Sequence, residues 1–225
     1  MVRRARGRRG RSRAGAQLSE LFDRRWMRLV AIVFAIEAIA LIIASMIPLP
    51  QQDQSSLLTV LNNSRSEIMN QTLPAAAVYI FTHNLGIATL EIVPGLGFIV
   101  FSGSTLVTGL TLGAEAASYG VSAILVTLLL FTLPSTWFEL SAYAIAVVAN
   151  VYIVRAIFRR TFRAELGRYF GSWIMLGSIL LLAAILESAE ILSEPANPFY
   201  AYLVWIPAGV IILLSVLLIK RKTNG

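Results

Sequence analysis

Residues 29–47 read LVAIVFAIEAIALIIASMI, an apolar run with a single charged side chain, Glu37. A helix of this length, at ~1.5 Å per residue, crosses the roughly 30 Å hydrocarbon core of a bilayer. Comparable runs recur along the chain, so one signal peptide does not account for them. Residues 44–48 also form a poor cleavage site, and we expect an uncleaved anchor. The pattern predicts a polytopic membrane protein.

The apolar runs predict an all-α bundle with about six crossings. The predicted spans are residues 29–47, 75–93, 98–113, 121–150, 173–191 and 202–219. The fourth contains Pro134, which removes a helical hydrogen bond and kinks or breaks the span. It is therefore either one bent helix or a re-entrant piece at 121–133 followed by the true span at 136–154. Residues 114–120 are predicted to form a turn.

The remaining segments are assigned from composition. We predict a disordered Arg-rich tail at 1–16, an amphipathic interfacial helix at 17–28, a single transmembrane domain at 29–219 with an outer loop at 49–73, and a basic tail at 220–225. Within the outer loop, residues 57–69 are predicted to form a surface helix. A second amphipathic juxtamembrane helix is predicted from an aromatic and aliphatic stripe: Phe158, Phe162, Leu166 and Phe170.

The net charge of +7 comes from 19 basic and 12 acidic residues, and its distribution predicts orientation. Apart from Arg65, the basic residues fall in residues 3–28, 155–168 and 220–222. Basic loops next to spans stay in the cytoplasm, so we expect both termini there and the chain in the cell membrane. A second interpretation is that residues 1–13 also bind anionic lipid, ribosomal RNA or an acidic partner. We expect anionic lipid at the Arg-rich segments, not nucleic acid.

The amino-acid composition excludes several kinds of chemistry. The chain has no cysteine and one histidine, His83, which excludes disulfides, thiolate sites and sites built from several imidazoles. Phe101–Ser104 with His83 lacks the context of a serine nucleophile motif. The turn at Pro94–Gly97 lacks the strand and lysine of a phosphate loop. We therefore predict no catalytic residues, no metal and no cofactor.

Acidic residues within the spans are functional candidates because a carboxylate in hydrocarbon is costly. They are Glu37, Glu91, Glu139, Glu187, Glu115 and Glu190. Two helix faces concentrate polar groups: His83, Asn84 and Glu91 on the second span, and Ser135, Glu139, Tyr143 and Asn150 on the fourth. If these faces meet, they form a buried network that fastens helices together, carries an ion or proton, or docks a partner. We predict that Glu139 points inward, within side-chain reach of Asn84 or Glu91.

The outer loop carries two N-glycosylation sequons. Asn62 precedes Asn63-Ser64, and Asn70 precedes Gln71-Thr72. Both asparagines are glycosylation candidates in a host that modifies exported chains.

Three segments resemble the stage II sporulation protein M family. They are Phe-Thr-His-Asn-Leu at 81–85, Val-Thr-Gly-Leu-Thr-Leu-Gly at 107–113 and Leu-Pro-Ser-Thr-Trp-Phe-Glu-Leu at 133–140. That family typically shows Phe-x-x-Asn-Asn, Asn-Gly-x-x-x-Gly and Leu-Pro-His-Gly-x-x-Glu-Leu/Ile-Pro. The positions that match are Asn84, Gly109, Gly113, Pro134 and Glu139. The departures are His83 and Thr108 for Asn, Ser135 for His, Thr136 for Gly, and Ser141 for Pro.

The resemblance covers about residues 25–219 and implies a shared membrane architecture in a prokaryotic, bacterial or archaeal protein. In spore-forming bacteria, such a protein works with membrane partners in cell-wall remodelling during engulfment. We do not assume a sporulation role for this chain. Our leading hypothesis is a non-enzymatic membrane scaffold or complex subunit that contacts other membrane proteins or itself. The alternative is a channel or transporter component that moves protons, cations or a small solute past Glu91 and Glu139.

Overall fold

A computed structural model describes residues 23–224 of the chain, with side-chain surroundings from 23 to 217. Every regular element in this part of the chain is helical. The α-helices are α1 Arg24–Ser45, α2 Gln51–Met69, α3 Leu73–Glu91, α4 Gly97–Tyr119, α5 Ala123–Leu130, α6 Pro134–Phe158, α7 Phe162–Ser193 and α8 Trp205–Asn224, with a 3₁₀ helix Pro198–Val204 before α8. Six of these helical segments are long and apolar enough to cross a membrane, which confirms the predicted class.

Helix α6 is the centre of the bundle and packs most extensively against α7. It presents small side chains to its neighbours, so the helices approach closely, as membrane bundles require. The main core cluster joins residues of α1, α3, α6 and α7: Trp26, Ala88, Ile92, Ala142, Ile145, Ala146, Val148, Ala149, Leu176 and Leu180. The core therefore lies along the middle of α6.

The bundle has two distinct ends. At one, Arg65 of α2 pairs with Glu115 at 3.5 Å and with Glu194 at 3.3 Å, which joins α2 to the last turns of α4 and α7. We call this the Arg65 end. Helix α6 begins at this end and finishes at the other, beside Arg155. We call the second the Arg155 end. The sequence placed Arg65 in the outer loop, and the structure shows that it fastens three elements together.

The described residues of the two predicted amphipathic juxtamembrane helices belong to longer helices. Residues 17–22 lie outside the described part of the chain, and residues 24–28 are the first turns of α1. No proline or glycine interrupts the chain from Arg24 to Ser45, so one helix continues through the change in polarity. The second stripe is divided between α6, which ends at Phe158, and the start of α7.

Two further boundaries differ from the sequence predictions. Residues 114–119 are helical because they are rich in alanine, and α4 ends only at Tyr119, where it is capped by Gly120, whose φ of 65° suits a glycine. Helix α2 begins at Gln51, directly after Pro50, and is longer than the predicted 57–69. Helix α7 has 32 residues, about 48 Å, so it extends beyond a bilayer core of roughly 30 Å.

The segment around Pro134 forms two helices and not one bent helix. Helix α5 has 8 residues, about 12 Å, which is too short to cross a bilayer. Leu133 is extended, and Pro134 occupies the first turn of α6, where its missing N–H costs nothing. Between the two helices, Leu130 O accepts from the Leu133 N–H at 3.1 Å, and the carbonyl groups of residues 131–132 have no backbone partner among the described residues.

Side chains donate to all three carbonyl groups of residues 130–132. Thr136 Oγ1 donates to Leu130 O at 3.0 Å, and Trp137 Nε1 donates to Phe131 O at 2.8 Å. From α8, Trp205 Nε1 donates to Thr132 O at 2.8 Å. A helix break within a membrane protein needs such partners, because lipid supplies no hydrogen bonds. These contacts stabilise the α5–α6 break and attach the start of α8 to it.

Candidate functional site: a polar face on α6

Polar side chains follow one face of α6 from its first turn to its last third. Ser135, Glu139, Tyr143 and Asn150 recur at intervals of four, four and seven residues, which places them on one side of a helix. At ~1.5 Å per residue, the face from Ser135 to Asn150 is about 22 Å long. Most of the thickness of a bilayer core is therefore lined by polar groups along a single helix.

At the Arg65 end, this face begins at the contact between Ser135 and Glu190. Both residues are buried. The Ser135 hydroxyl donates to one carboxyl oxygen of Glu190, and the Ser135 backbone N–H lies 3.3 Å from the other. The N–H groups in the first turn of a helix have no partner within the helix, so the Ser135 N–H is available to donate to Glu190. The contact joins α6 to α7.

One turn further along, Glu139 meets two other helices. Asn84 of α3 donates its amide N–H to Glu139, which confirms the prediction that Glu139 lies within reach of Asn84. The carboxyl group of Glu187 on α7 lies within interaction range of the Glu139 carboxyl. Because ionised carboxylates only accept hydrogen bonds, a hydrogen bond between these two groups requires a proton on one of them.

The carboxyl groups lie close enough to influence one another electrostatically. Glu139 interacts with Glu37 on α1 as well as with Glu187 and Glu190, and Glu37 interacts with Glu91 on α3. Tyr143 lies one helical turn after Glu139 on α6. It is within electrostatic range of four carboxyl groups: Glu139, Glu91, Glu187 and Glu37. These electrostatic interactions connect the acids of four helices into one group, which we call the carboxyl cluster: Glu37, Glu91, Glu139, Glu187 and Glu190.

Glu91 and Asn150 form the part of the network nearest the Arg155 end. Ser104 of α4 donates to Glu91 Oε1 at 3.0 Å. The Asn150 amide donates to the backbone carbonyls of Glu91 at 3.0 Å and Val93 at 2.5 Å. Glu91 O lies at the C-terminal end of α3, where carbonyl groups lack helical partners, and Val93 O also accepts from the Gly97 N–H at 3.0 Å. Gly97 fits here because a side chain would collide with Glu91 O and the Asn150 amide.

Three carboxyl oxygens of the cluster have no hydrogen-bond partner among the described residues. They are buried Oε2 atoms, in Glu37, Glu91 and Glu187. The buried Oδ1 of Asn150 is in the same state. An unpaired buried acceptor is costly, so the cluster holds more acceptor capacity than its structural contacts use. A proton or a hydrogen-bond donor would satisfy each oxygen.

Two of the predicted candidates do not belong to this network. His83 is exposed, on the side of α3 away from Asn84, so the predicted imidazole is absent from the interior. The reason is helical geometry: neighbouring residues point about 100° apart, and burying Asn84 turns His83 outward. Glu115 pairs with Arg65 at the surface of the bundle instead. In the described part of the chain, no three His, Asp or Glu residues are arranged to hold a metal ion.

The sequence did not reveal which acids of other helices meet α6. Glu187 and Glu190 were recognised as intramembrane acids, but their contacts with Glu139 and Ser135 were not predicted. Their spacing of three residues, which gives both the same helix face, was the available signal. The hydroxyl of Ser104, which contacts Glu91, carried no signal, since serine is common in membrane helices.

The positions shared with the stage II sporulation protein M pattern have distinct structural roles. Gly109 and Gly113 face α1, where a side chain at either position would collide with Ala44 or with the Ser45 carbonyl. Asn84 and Glu139 bond to each other, and Pro134 begins α6. The pattern therefore marks the α1–α4 contact and the α3–α6 contact, two of the interfaces that enclose the carboxyl cluster.

The two glycosylation candidates lie on α2. Asn62 is exposed in the interior of the helix, and Asn70 is exposed at its C-terminal cap. The side-chain nitrogen of Asn70 donates to Ser66 O at 2.9 Å. Their modification stays a prediction.

Comparison with known proteins gives one match. The family model described as Stage II sporulation protein M matches residues 29–189, which contain four of the five acids of the carboxyl cluster, with Glu190 one residue beyond the match. No curated protein and no solved structure matches the chain. A match over this share of the sequence, together with the six apolar helices, identifies the chain as a multi-pass membrane protein that belongs to the stage II sporulation protein M family.

Proposed function

We propose that this protein is a non-enzymatic membrane subunit that binds protons at the carboxyl cluster and passes them along the polar face of α6. The observation that carries the proposal is the connected series of acids from Glu190 to Glu91, beside a polar face about 22 Å long. This is the alternative that the sequence ranked second. The geometry supports it better than a purely structural role.

The number of acids is the first argument against simple helix attachment. Polar contacts between membrane helices are made well by serine, threonine and asparagine, which carry no charge. Each carboxyl adds the cost of keeping an ionisable group away from water. Five of them in one interior, three with an unused buried oxygen, exceed what packing requires. Such an arrangement is typical of a proton relay.

The order of the groups is the second argument. Glu194, whose side chain is 45% exposed beside Arg65, lies one helical turn from Glu190. Glu190 is followed by Glu187 and Glu139, then by Tyr143 and Glu37, and then by Glu91. The series therefore begins at the surface of the Arg65 end and continues into the last third of α6. Side-chain rotation or an inserted water would transfer a proton between successive groups.

Reconstitution tests the proposal directly. The purified full chain is placed in liposomes that contain a pH-sensitive dye, and a potassium gradient with valinomycin drives protons inward. We expect faster internal acidification than in protein-free liposomes. Glu139→Gln should reduce the rate to the protein-free value, whereas Glu67→Gln, an exposed change on α2, should leave it unchanged. Equal rates with and without the wild-type protein would contradict the proposal.

A second candidate function is partner or self-association along α8, which is the scaffold hypothesis. Only 11% of the apolar stretch Pro198–Leu217 is buried in the bundle. After Trp205, which attaches α8 to the α5–α6 break, most side chains of α8 are exposed and available to contact another transmembrane helix. A cross-linkable residue at Leu213, 58% exposed, should capture a neighbouring protein or a second copy in native membranes. The same probe at Ile99 on α4, 71% exposed, is the control. Equal labelling at both sites would indicate random contact.

We further propose that the Arg155 end faces the cytoplasm, that both termini lie there, and that its arginines contact anionic lipid. Because the chain has no cysteine, single cysteines report orientation. Ser64→Cys should react with a membrane-impermeant thiol reagent in intact cells, and Thr161→Cys should not. Labelling at Thr161 in sealed cells would overturn the orientation.

A further inference from the structure

A cleft at the Arg155 end gathers positive charge from two helices. Its volume is about 160 Å³, and its basic lining residues are Arg25 from α1 and Arg155 and Arg159 from α6. None of these three arginines forms an ion pair within the described residues, where the recorded pairs involve Arg65 and Arg168. Cations that converge on one cleft repel each other unless an anion lies between them.

The acidic residue at the cleft does not supply that anion. Glu165 lines the cleft, but its carboxylate is paired with Arg168 at 2.9 Å. Arg168 also lies 4.7 Å above the ring of Tyr152, which forms another wall. The wall is therefore held by a fourth arginine, and the positive potential of the cleft is not cancelled.

Helix α7 adds hydrogen-bond donors to the same place. Thr161 lines the cleft and is the N-cap residue of α7, yet its side chain makes no capping hydrogen bond. The first N–H groups of a helix lack partners and attract anions, and the Thr161 hydroxyl can donate as well. Guanidinium groups, a hydroxyl and helix N–H groups together match the oxygens of a phosphate group.

We infer that this cleft, formed by Arg25, Arg155, Arg159 and Thr161, binds a phosphate group, and that a membrane phospholipid supplies it. The lipid source is indicated by aromatic side chains beside the cleft. Phe158 is 84% exposed at the end of α6, and Phe162 is 42% exposed at the start of α7. Exposed aromatic groups at a membrane surface are suited to acyl chains next to a headgroup. The site lies apart from the carboxyl cluster and does not depend on proton transfer.

Two triple variants with the same change in charge test the site. Arg25→Gln/Arg155→Gln/Arg159→Gln removes the cleft arginines. Arg24→Gln/Arg28→Gln/Arg163→Gln removes three arginines from the same end that do not line the cleft. Native mass spectrometry of the full chain in detergent then counts bound phosphatidylglycerol, with phosphatidylcholine as the neutral-headgroup comparison. Circular dichroism and gel filtration establish that each variant is folded, and the single change Arg155→Gln replaces a triple variant that is not.

We expect the wild-type protein and the control variant to retain phosphatidylglycerol and the cleft variant to bind it at least tenfold more weakly. Equal losses in both variants would show diffuse surface attraction and overturn the site. Inorganic phosphate in the same buffer distinguishes the sources. If millimolar phosphate displaces the lipid and binds alone with similar affinity, a free phosphate, not a lipid, is the ligand, and the lipid assignment is wrong. Proton flux is not measured in this experiment, so its result is independent of the proton proposal.

Discussion

Helices α6 and α8 are both apolar enough to cross a membrane, but they occupy opposite situations in the bundle. In α6, 61% of the residues in the apolar stretch are buried, against 11% for Pro198–Leu217. The difference is not one of hydrophobic content. The buried fraction instead depends on the polar residues of each helix. One face of α6 carries Ser135, Glu139, Tyr143 and Asn150. In α8, the Ser215 hydroxyl donates to the Ile211 carbonyl of the same helix.

The difference in burial between α6 and α8 arises because the surrounding solvent is lipid and not water. In water, apolar side chains drive a helix into a core, but lipid is as apolar as those side chains and offers no such gain. A polar face is what lipid cannot accommodate, and neighbouring helices therefore enclose it. The position of a span in this bundle is best explained by its hydrogen-bonding groups, and the predictions that follow test that explanation.

The largest expected effect concerns Glu139, the centre of the polar face. Glu139→Gln preserves the shape and the contact with Asn84 but removes the group that exchanges a proton. We expect loss of all proton flux above the protein-free rate in liposomes, with unchanged thermal unfolding. Normal flux through the Gln variant would show that the face is structural, and the comparison with α8 would then concern packing alone.

Space is the second difference between the two helices. Ala146 on α6 is fully buried in the main core cluster, whereas Gly209 on α8 has no neighbour within 4 Å of an added Cβ. Ala146→Leu should overpack the core and lower the free energy of unfolding by about 1–3 kcal/mol. Gly209→Leu should change it little. Unfolding in mixed detergent micelles measures both, and similar losses would mean that α8 is packed against the bundle or a partner.

The sequence predicted the spans and the α6 face well, because both depend on one helix at a time. Apolar runs determine which segments cross, and the spacing of Ser135, Glu139 and Asn150 assigns them to one side. The helix ends were predicted less well. Residues 24–28 and 114–119 change in polarity at the membrane edge, yet nothing in them stops a helix. At these positions, side-chain polarity indicates whether lipid or water surrounds the chain, but it does not predict where the helix ends.

The partners of α6 were beyond sequence reasoning for a different reason. Which acid meets Ser135 or Glu139 depends on the rotation of α1 and α7 about their axes, and close packing of several helices determines that rotation. The contact of Glu139 with Asn84 was predicted, but its electrostatic interactions with Glu187 and Glu37 were not. His83 was placed wrongly because a neighbour of a buried residue was assumed to share its face.

A third prediction concerns Asn150, at the far end of the polar face. Its amide donates to Glu91 O at the end of α3 and to Val93 O, which also accepts from the Gly97 N–H. Asn150→Ala should lower the free energy of unfolding by about 1–2 kcal/mol, the scale of polar contacts between membrane helices. The matched control is Asn63→Ala on exposed α2, which should have no effect. An unaffected Asn150 variant would indicate that water replaces the amide.

The smallest expected effect compares two serine hydroxyls directly. Ser135 Oγ donates across the α6–α7 interface to Glu190, whereas Ser215 Oγ donates at 2.8 Å within α8. Ser135→Ala should lower the free energy of unfolding by about 0.6 kcal/mol, the average for an interhelical contact in a membrane protein, and Ser215→Ala should cause no measurable change.

A double-mutant cycle with Glu190→Gln separates the Ser135–Glu190 contact from other effects of each change. The backbone N–H of Ser135 also reaches Glu190, so part of the interaction survives the loss of the hydroxyl. A coupling energy of zero between Ser135 and Glu190 would show that this end of the polar face does not hold α6 to α7. The enclosure of α6 would then depend on Glu139 and Asn150 alone.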